Sequence, residues 1–342
     1  MPDNLSGDNA VKAALKKTGG NMEDQAEKLR EIMKRKKDGT GGSQGTAKSS
    51  SSAKSGSGEV SRGKSLDKAR IITVTSGKGG VGKTNLSVNM AIAFARLGKK
   101  VVVMDADLGL ANVNVMLNMI PKYNLYHVIK KQKTIREILV ETEYGISIVA
   151  GASGFSQIAN MGEEDRKDFI SELDTLSNAD IIIIDTSAGV SSNVLDFIAA
   201  ADDAVIITTP EPTAITDAYG IIKIIATEYD ALNMGLKLVV NRAKGAVQAK
   251  GVADRMINIA GQFLNLKVDY LGFIYDDSSV PQAVLRQKPF MVVDPKCKAS
   301  ICVQHIVERM DRNKTGETSG FGTMLRRLFG QSSDSAKRNS RS

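Results

Sequence analysis

Short, continuously apolar runs separated by helical patterns recur through most of this chain. Ile71-Ile72-Thr73-Val74, Val101 to Met104, Ile181 to Ile184, Val205 to Ile207 and Leu238 to Val240 lack the alternation of a half-exposed strand, so they predict strands buried on both faces. Ile146 to Val149 and Leu271 to Ile274 are weaker members of the set. Between the runs apolar residues recur at helical spacing, as in Leu86, Met90 and Phe94, with Val88, Ala91 and Ala95 among them. Buried strand alternating with helix predicts an α/β fold: a doubly wound, mostly parallel sheet with helices on both faces. No internal repeat and no boundary divides residues 69 to 310, which read as one domain.

Outside this core the pattern changes. Residues 1 to 20 predict a disordered N-terminus. Residues 21 to 38 predict a short helix: Asn21 is its N-cap, Asp24 lies in the first turn, Met22, Ala26, Leu29 and Met33 share a face, and Gly39 stops it. Residues 39 to 68 are rich in Gly and Ser with little to bury, the composition of a flexible tether. A solitary amphipathic helix on such a tether has no core of its own, so its apolar face docks either on the domain or on a partner. Within residues 311 to 330, Phe321, Met324, Leu325, Leu328 and Phe329 recur at i, i+3, i+4, i+7 and i+8, with Arg326 and Arg327 off the stripe. A core helix and a helix lying on a membrane surface share that pattern. Residues 331 to 342 predict a disordered basic tail.

Charge sharpens the division. The 342-residue chain carries a formal net charge of +8, yet residues 1 to 70 hold 15 Lys and Arg against 9 Asp and Glu, and residues 311 to 342 hold 7 against 3. Residues 71 to 310 are left with 24 against 26, a net of −2. A core without positive excess argues against nucleic acid as its main ligand, whereas basic tails suit an anionic membrane or an acidic partner. Cys297 and Cys302, spaced C-x₄-C, match neither a disulfide framework nor a metal-ligand set, and read as reduced thiols of a cytosolic protein. No stretch approaches the ~18 apolar residues of a membrane span, and the polar N-terminus lacks a signal-peptide core. His127 and His305 have no partnered ligands nearby in sequence, and the 13 Met residues read as core filler.

The candidate chemistry centres on Ser76-Gly77-Lys78-Gly79-Gly80-Val81-Gly82-Lys83-Thr84, which fits G-x-x-x-x-G-K-[ST] between a strand and a helix. There, unpaired backbone N–H groups and the positive end of the helix dipole face phosphate, and the glycines let the backbone wrap closely. Lys83 is expected to reach the β- and γ-phosphates and Thr84 to ligate Mg²⁺. Polar residues follow the apolar runs: Asp105, Asp185, Thr208, Asn241 and Tyr275. In an open parallel sheet the carboxyl ends of the strands border one crevice. Asp105 and Asp107, alternately spaced, are expected to face the γ-phosphate, one assisting Mg²⁺ and the other orienting or deprotonating water. Asp185 is expected to hold Mg²⁺ through water, and Gly189 to offer a backbone N–H to the γ-phosphate. Asn241 carries an amide able to read an adenine edge; a turn asparagine is the alternative.

With Lys78 as a second lysine, the loop resembles the deviant phosphate loop of the MinD/ParA ATPases, a resemblance that covers about residues 70 to 330. It implies ATP and Mg²⁺ as ligands, a homodimer when ATP is bound, Lys78 reaching the partner's nucleotide, Asp105 and Asp107 in a first switch, and Asp185 to Gly189 in a second. Ser187 departs from the proline common there, which bears on switch rigidity. Asp24-Gln25-Ala26-Glu27-Lys28-Leu29-Arg30 further resembles the D-Q-A-x-x-L-R helix of the FlhG (FleN/YlxH) branch, through which that branch stimulates the FlhF-type SRP GTPase. The segment Thr209 to Tyr219 is also similar to that branch. This resemblance assigns partner binding to Asp24, Gln25, Ala26, Leu29 and Arg30, with Gln25 entering the partner's catalytic site. It makes Phe321, Met324, Leu325, Leu328 and Phe329 a membrane-targeting face, reversibly held at the cytoplasmic side of the inner membrane. The implied function is control of flagellar number or placement, with C-ring proteins or a flagellar transcription regulator as further partners. Two other readings stand beside it. A ParA-type positioning ATPase would need a basic surface on the core, and a metal-cluster scaffold would need Cys297 and Cys302 as ligands.

Overall fold

Eight strands pair into one sheet in the computed structural model, among the residues it describes: 69–107, 112–151, 162–229 and 235–312. They are β1 (Arg70–Ser76), β2 (Val101–Ala106), β3 (Leu139–Glu141), β4 (Ser147–Val149), β5 (Ile181–Ala188), β6 (Asp203–Thr208), β7 (Gly235–Ala243) and β8 (Asp269–Tyr275). Their order is β3-β4-β2-β5-β1-β6-β7-β8, with every neighbouring pair parallel except the β3–β4 hairpin. All seven apolar runs are strands. β3 escapes a pattern reading because it has three residues, half-exposed or exposed, at the sheet edge. The predicted helix at 21 to 38 and the apolar stripe at 321 to 329 lie outside the described residues.

Alternation of side chains explains why both faces are covered. Ile72 and Val74 of β1 point into the core beneath α1 (Lys83–Arg96), while Ile71 points into the opposite core. The α1 face is completed by α9 (Ser279–Leu285), α10 (Phe290–Val293) and α11 (Lys298–Arg312). The opposite face carries α3 (Leu125–Ile129), α4 (Ile135–Ile138), α5 (Glu163–Asp174) and α6 (Ser192–Ala200) over one half, and α7 (Pro212–Glu228) and α8 (Ala246–Leu264) over the other. The short α2 (Asn112–Met116) packs beside the start of α1. Each fully buried Ile or Leu contributes about 1.5–3 kcal/mol, so these three clusters hold the domain together.

The topology also locates the crevice. β1 is central, between β5 and β6; the connection through α1 leads to β2 on one side, and the chain crosses from β5 over β1 to β6 on the other. This reversal opens a switch point at the carboxyl end of β1, where the phosphate-loop sequence begins.

Candidate functional site

The loop is built by backbone constraints that a glycine-rich sequence satisfies. Ser76 closes β1, its hydroxyl donates to the Lys78 carbonyl at 2.8 Å, and its own carbonyl accepts the Gly189 N–H at 2.9 Å. Gly80 and Gly82 adopt φ of 76° and 103°, a left-handed conformation that costs other residues energy. The first turn of α1 holds no acidic residue, so its dipole is open to an anion. Gly77 is required for a different reason: a Cβ there would sit 2.3 Å from the Asp217 backbone carbonyl of α7. A cavity of about 430 Å³ opens beside the loop, lined by Gly79, Gly80, Lys83, Thr84, Asp107 and Arg242 among others. A larger one, about 630 Å³, lies near Val101 and Ser147 at the amino ends of β2 and β4, away from any phosphate-binding backbone.

Beneath the loop stands a pair of buried carboxylates. Asp105 and Asp185 are register partners on adjacent strands, 1% and 0% exposed. Asp185 Oδ2 accepts the Thr84 hydroxyl at 2.7 Å and Oδ1 accepts the Ser87 hydroxyl at 2.8 Å, both from α1. Asp105 accepts backbone N–H groups of Asp107 at 3.0 Å and Val113 at 3.2 Å. The two carboxylates expected together at the phosphates sit differently in the ligand-free chain: Asp107 lines the cavity, bonded to Asn112 Nδ2 at 3.1 Å, while Asp105 is buried with one oxygen on each of two backbone N–H groups at the strand end. Such donors satisfy a carboxylate that burial cuts off from water. For Mg²⁺, the donor set that fits is the Thr84 hydroxyl at the cavity with Asp185 directly behind it. Hard oxygens completed by phosphate and water are the ligands this ion prefers.

Burial, and then the neighbouring Asp185 charge, push Asp105 up to about 7; burial likewise raises Asp185 to about 6, against the pull of the Thr84 and Ser87 hydroxyls and Lys83. Burial lowers Lys83 from its ordinary value, opposed by the charges of Asp185 and Asp107. Because both carboxyls bind protons more readily folded than unfolded, their contribution to folding stability declines as pH rises from about 4 to about 7. The ligand-free protein is thus expected to have a lower thermal midpoint at about pH 8 than at about pH 5. A midpoint that instead climbs across this range would show the two carboxylates stabilised in ionised form.

Other expected site residues are placed as follows. Lys78 Nζ donates to Glu211 Oε2 and Thr213 Oγ1, both at 2.8 Å, on an exposed surface at the start of α7. Asn241 Nδ2 donates to the Val81 carbonyl at 2.7 Å, bracing the loop from the end of β7; a Cβ on Gly82 would lie 2.5 Å from that nitrogen. Gly189, at φ 99°, has its N–H on Ser76. Asp24, Gln25, Ala26, Leu29, Arg30 and the five residues of the C-terminal stripe fall outside the described residues. Sequence reading missed Arg242, which holds φ 55° at the cavity wall directly after Asn241. The strand-end rule that selected Asn241 extends one residue further. It also missed Gly151, where a Cβ would lie 2.0 Å from the Asp105 carbonyl. His127 is absorbed by local structure, capping α3 with Asn124.

Comparison with known proteins places this geometry among relatives. Residues 72–290 match the CobQ/CobB/MinD/ParA nucleotide binding domain. The chain is 35% identical over 248 residues to antiactivator FleN of Pseudomonas aeruginosa, covering 72% of this chain and 88% of that protein. It is 36% identical over 228 residues to the flagellum site-determining protein YlxH of Helicobacter pylori, covering 66% and 76%. Among solved structures, the MinC:MinD cell division complex of Aquifex aeolicus superimposes with a TM-score of 0.58 at 27% identity, over 72% of this chain and 98% of that one.

Proposed function

Because the chain belongs to the CobQ/CobB/MinD/ParA nucleotide-binding family, in the branch of FleN and YlxH, we propose that it is an ATP-hydrolysing regulator of flagellar number or placement that dimerises with ATP. The observation that carries the hydrolytic part is the convergence on one cavity of a phosphate-shaped loop, Lys83, Thr84 backed by Asp185, and Asp107. Lys83 and the loop amides of Gly79 to Thr84 bind the β- and γ-phosphates. Thr84 and Asp185 hold Mg²⁺, which neutralises phosphate charge when bound. Asp107 orients the attacking water. Lys78 acts across the dimer and must first leave Glu211 and Thr213, an exposed contact that releases easily. Gly189 must likewise exchange its bond to Ser76 for one to the γ-phosphate, which makes this segment a switch. Asn241 braces the loop with one amide hydrogen and keeps its carbonyl for an adenine amino group.

The flanking segments supply the readout. Residues 21 to 38, with Gln25 foremost, stimulate an FlhF-type GTPase, and the 321 to 329 stripe lies on anionic lipid at the cytoplasmic face of the inner membrane. No helix among the described residues is long and apolar enough to cross a membrane. One short amphipathic anchor binds lipid only marginally, whereas two on a dimer gain about 10²–10⁴ in avidity.

The test uses the full chain. ATP, and not ADP, is expected to double its mass in solution and to drive co-sedimentation with anionic liposomes, and deleting residues 320 to 330 abolishes only the second effect. Asp107→Ala should stay dimeric and membrane-bound while phosphate release falls about 10²–10⁴-fold. Unchanged turnover of that variant, or a mass indifferent to ATP, would refute the reading. Acceleration of FlhF GTP hydrolysis by a peptide of residues 21 to 38, lost in Gln25→Ala, tests the activator segment separately.

A further inference from the structure

Ser87 lies one turn into α1, fully buried, on a helix whose other buried residues are apolar except Asn89. Packing alone would be served by alanine there. A buried hydroxyl needs a partner, and Ser87 has two within reach: the Lys83 carbonyl at 3.1 Å and Asp185 Oδ1 at 2.8 Å. The hydroxyl has one proton. A bond back to the carbonyl four residues earlier is the ordinary resort of a mid-helix serine, but a carboxylate is the stronger acceptor and offers the shorter contact. The Ser87 hydroxyl therefore donates its hydrogen bond to Asp185.

Thr84 and Ser87 are three residues apart, so they project from the same side of α1 over the end of β5. Each hydroxyl takes a different oxygen of Asp185, and together they fix both the position and the rotation of its carboxylate plane. With Thr84 alone, the carboxylate would be held at one oxygen and free to pivot about it. The Thr84 hydroxyl, which receives its orientation from that same bond, would lose its aim into the cavity.

We infer that Ser87 is a positioning residue for cation binding at the phosphate site, holding Asp185 so that the Thr84 hydroxyl presents its lone pair to Mg²⁺. This rests on the ATPase reading above, so the experiment separates the two. Affinity of the full chain for a fluorescent ADP analogue is measured with Mg²⁺ and with EDTA, alongside thermal unfolding. Wild type is expected to bind more tightly with Mg²⁺. Ser87→Ala should retain the EDTA affinity but lose about tenfold of the Mg²⁺-dependent gain, the scale of one charge-assisted hydrogen bond. Ser87→Thr, which keeps the hydroxyl, should restore it. If Ser87→Ala does not fold, Ser87→Cys, with similar volume and a weaker donor, should show a partial loss. A Ser87→Ala protein that folds with the wild-type Mg²⁺ gain overturns the inference and leaves the ATPase reading intact. A wild type that binds no nucleotide overturns both.

Discussion

Replacing Gly77 by alanine is expected to disable the phosphate site. The added Cβ would stand 2.3 Å from the carbonyl carbon and oxygen of Asp217 and 2.6 Å from its Cβ. α7 cannot retreat, because Ala214, Ala218, Ile221, Ile222 and Ile225 lock it against the sheet at 2% exposure or less. The loop must move instead, and its amides leave the geometry that an anion needs. Overpacking of this kind costs about 1–3 kcal/mol or more. If that strain falls on the bound loop, affinity for an ATP analogue drops by about 10- to 100-fold. Gly79→Ala is the control: a Cβ at that position meets nothing within 4 Å, so its thermal midpoint should match wild type while that of Gly77→Ala falls. Wild-type binding by Gly77→Ala would mean that the loop does not depend on its approach to α7.

The largest loss of stability is expected from Asp203→Ala, at the opposite end of the sheet. Asp203 begins β6 between Arg70 of β1 and Lys237 of β7, accepting from Arg70 Nε at 2.6 Å and pairing with Lys237 Nζ at 3.2 Å. All three side chains are 5% exposed or less, and Arg70 also donates to the Met310 carbonyl near the end of α11. Removing the shared carboxylate leaves the buried Arg70 charge only the Met310 carbonyl and Lys237 only the longer contact to Asp269, so the cost is about 3–5 kcal/mol. For a domain of this size that lowers the thermal midpoint by roughly 6–20 °C. Nucleotide affinity of the folded protein should be unchanged, since the network lies at the amino ends of the strands. Loss of affinity without loss of stability would contradict this placement.

Much of the site was legible because its parts are contiguous in the chain. The phosphate loop needs glycines, a lysine and a threonine in a fixed order, and a short apolar run before an acid marks a buried strand meeting a crevice. Asp105 and Asp185 were reached that way, and Asp107 by its alternate spacing from Asp105. The backbone contacts of Asp105 were not legible, because they depend on Val113 and on the turn at Asp107, which spacing does not encode. Arg242 was passed over since one cation after a strand resembles any other until the cavity is closed around it. Nothing in the spacing singles out Ser87, for its carboxylate partner lies 98 positions away.

What the sequence by itself determined was seven of the eight strands, their alternation with helices, the burial of both sheet faces and a glycine-rich turn suited to an anion. Periodicity and glycine chemistry act between neighbouring residues, and neighbours are what a sequence displays. Only the tertiary structure decided which carboxylate turns inward, which hydroxyls grip Asp185, why Gly77 admits no side chain and where Lys78 rests. Those outcomes depend on atoms brought within 3 Å of each other by the packing of α1, α7 and β5 around β1, and close contact between distant residues exists only once the chain has folded.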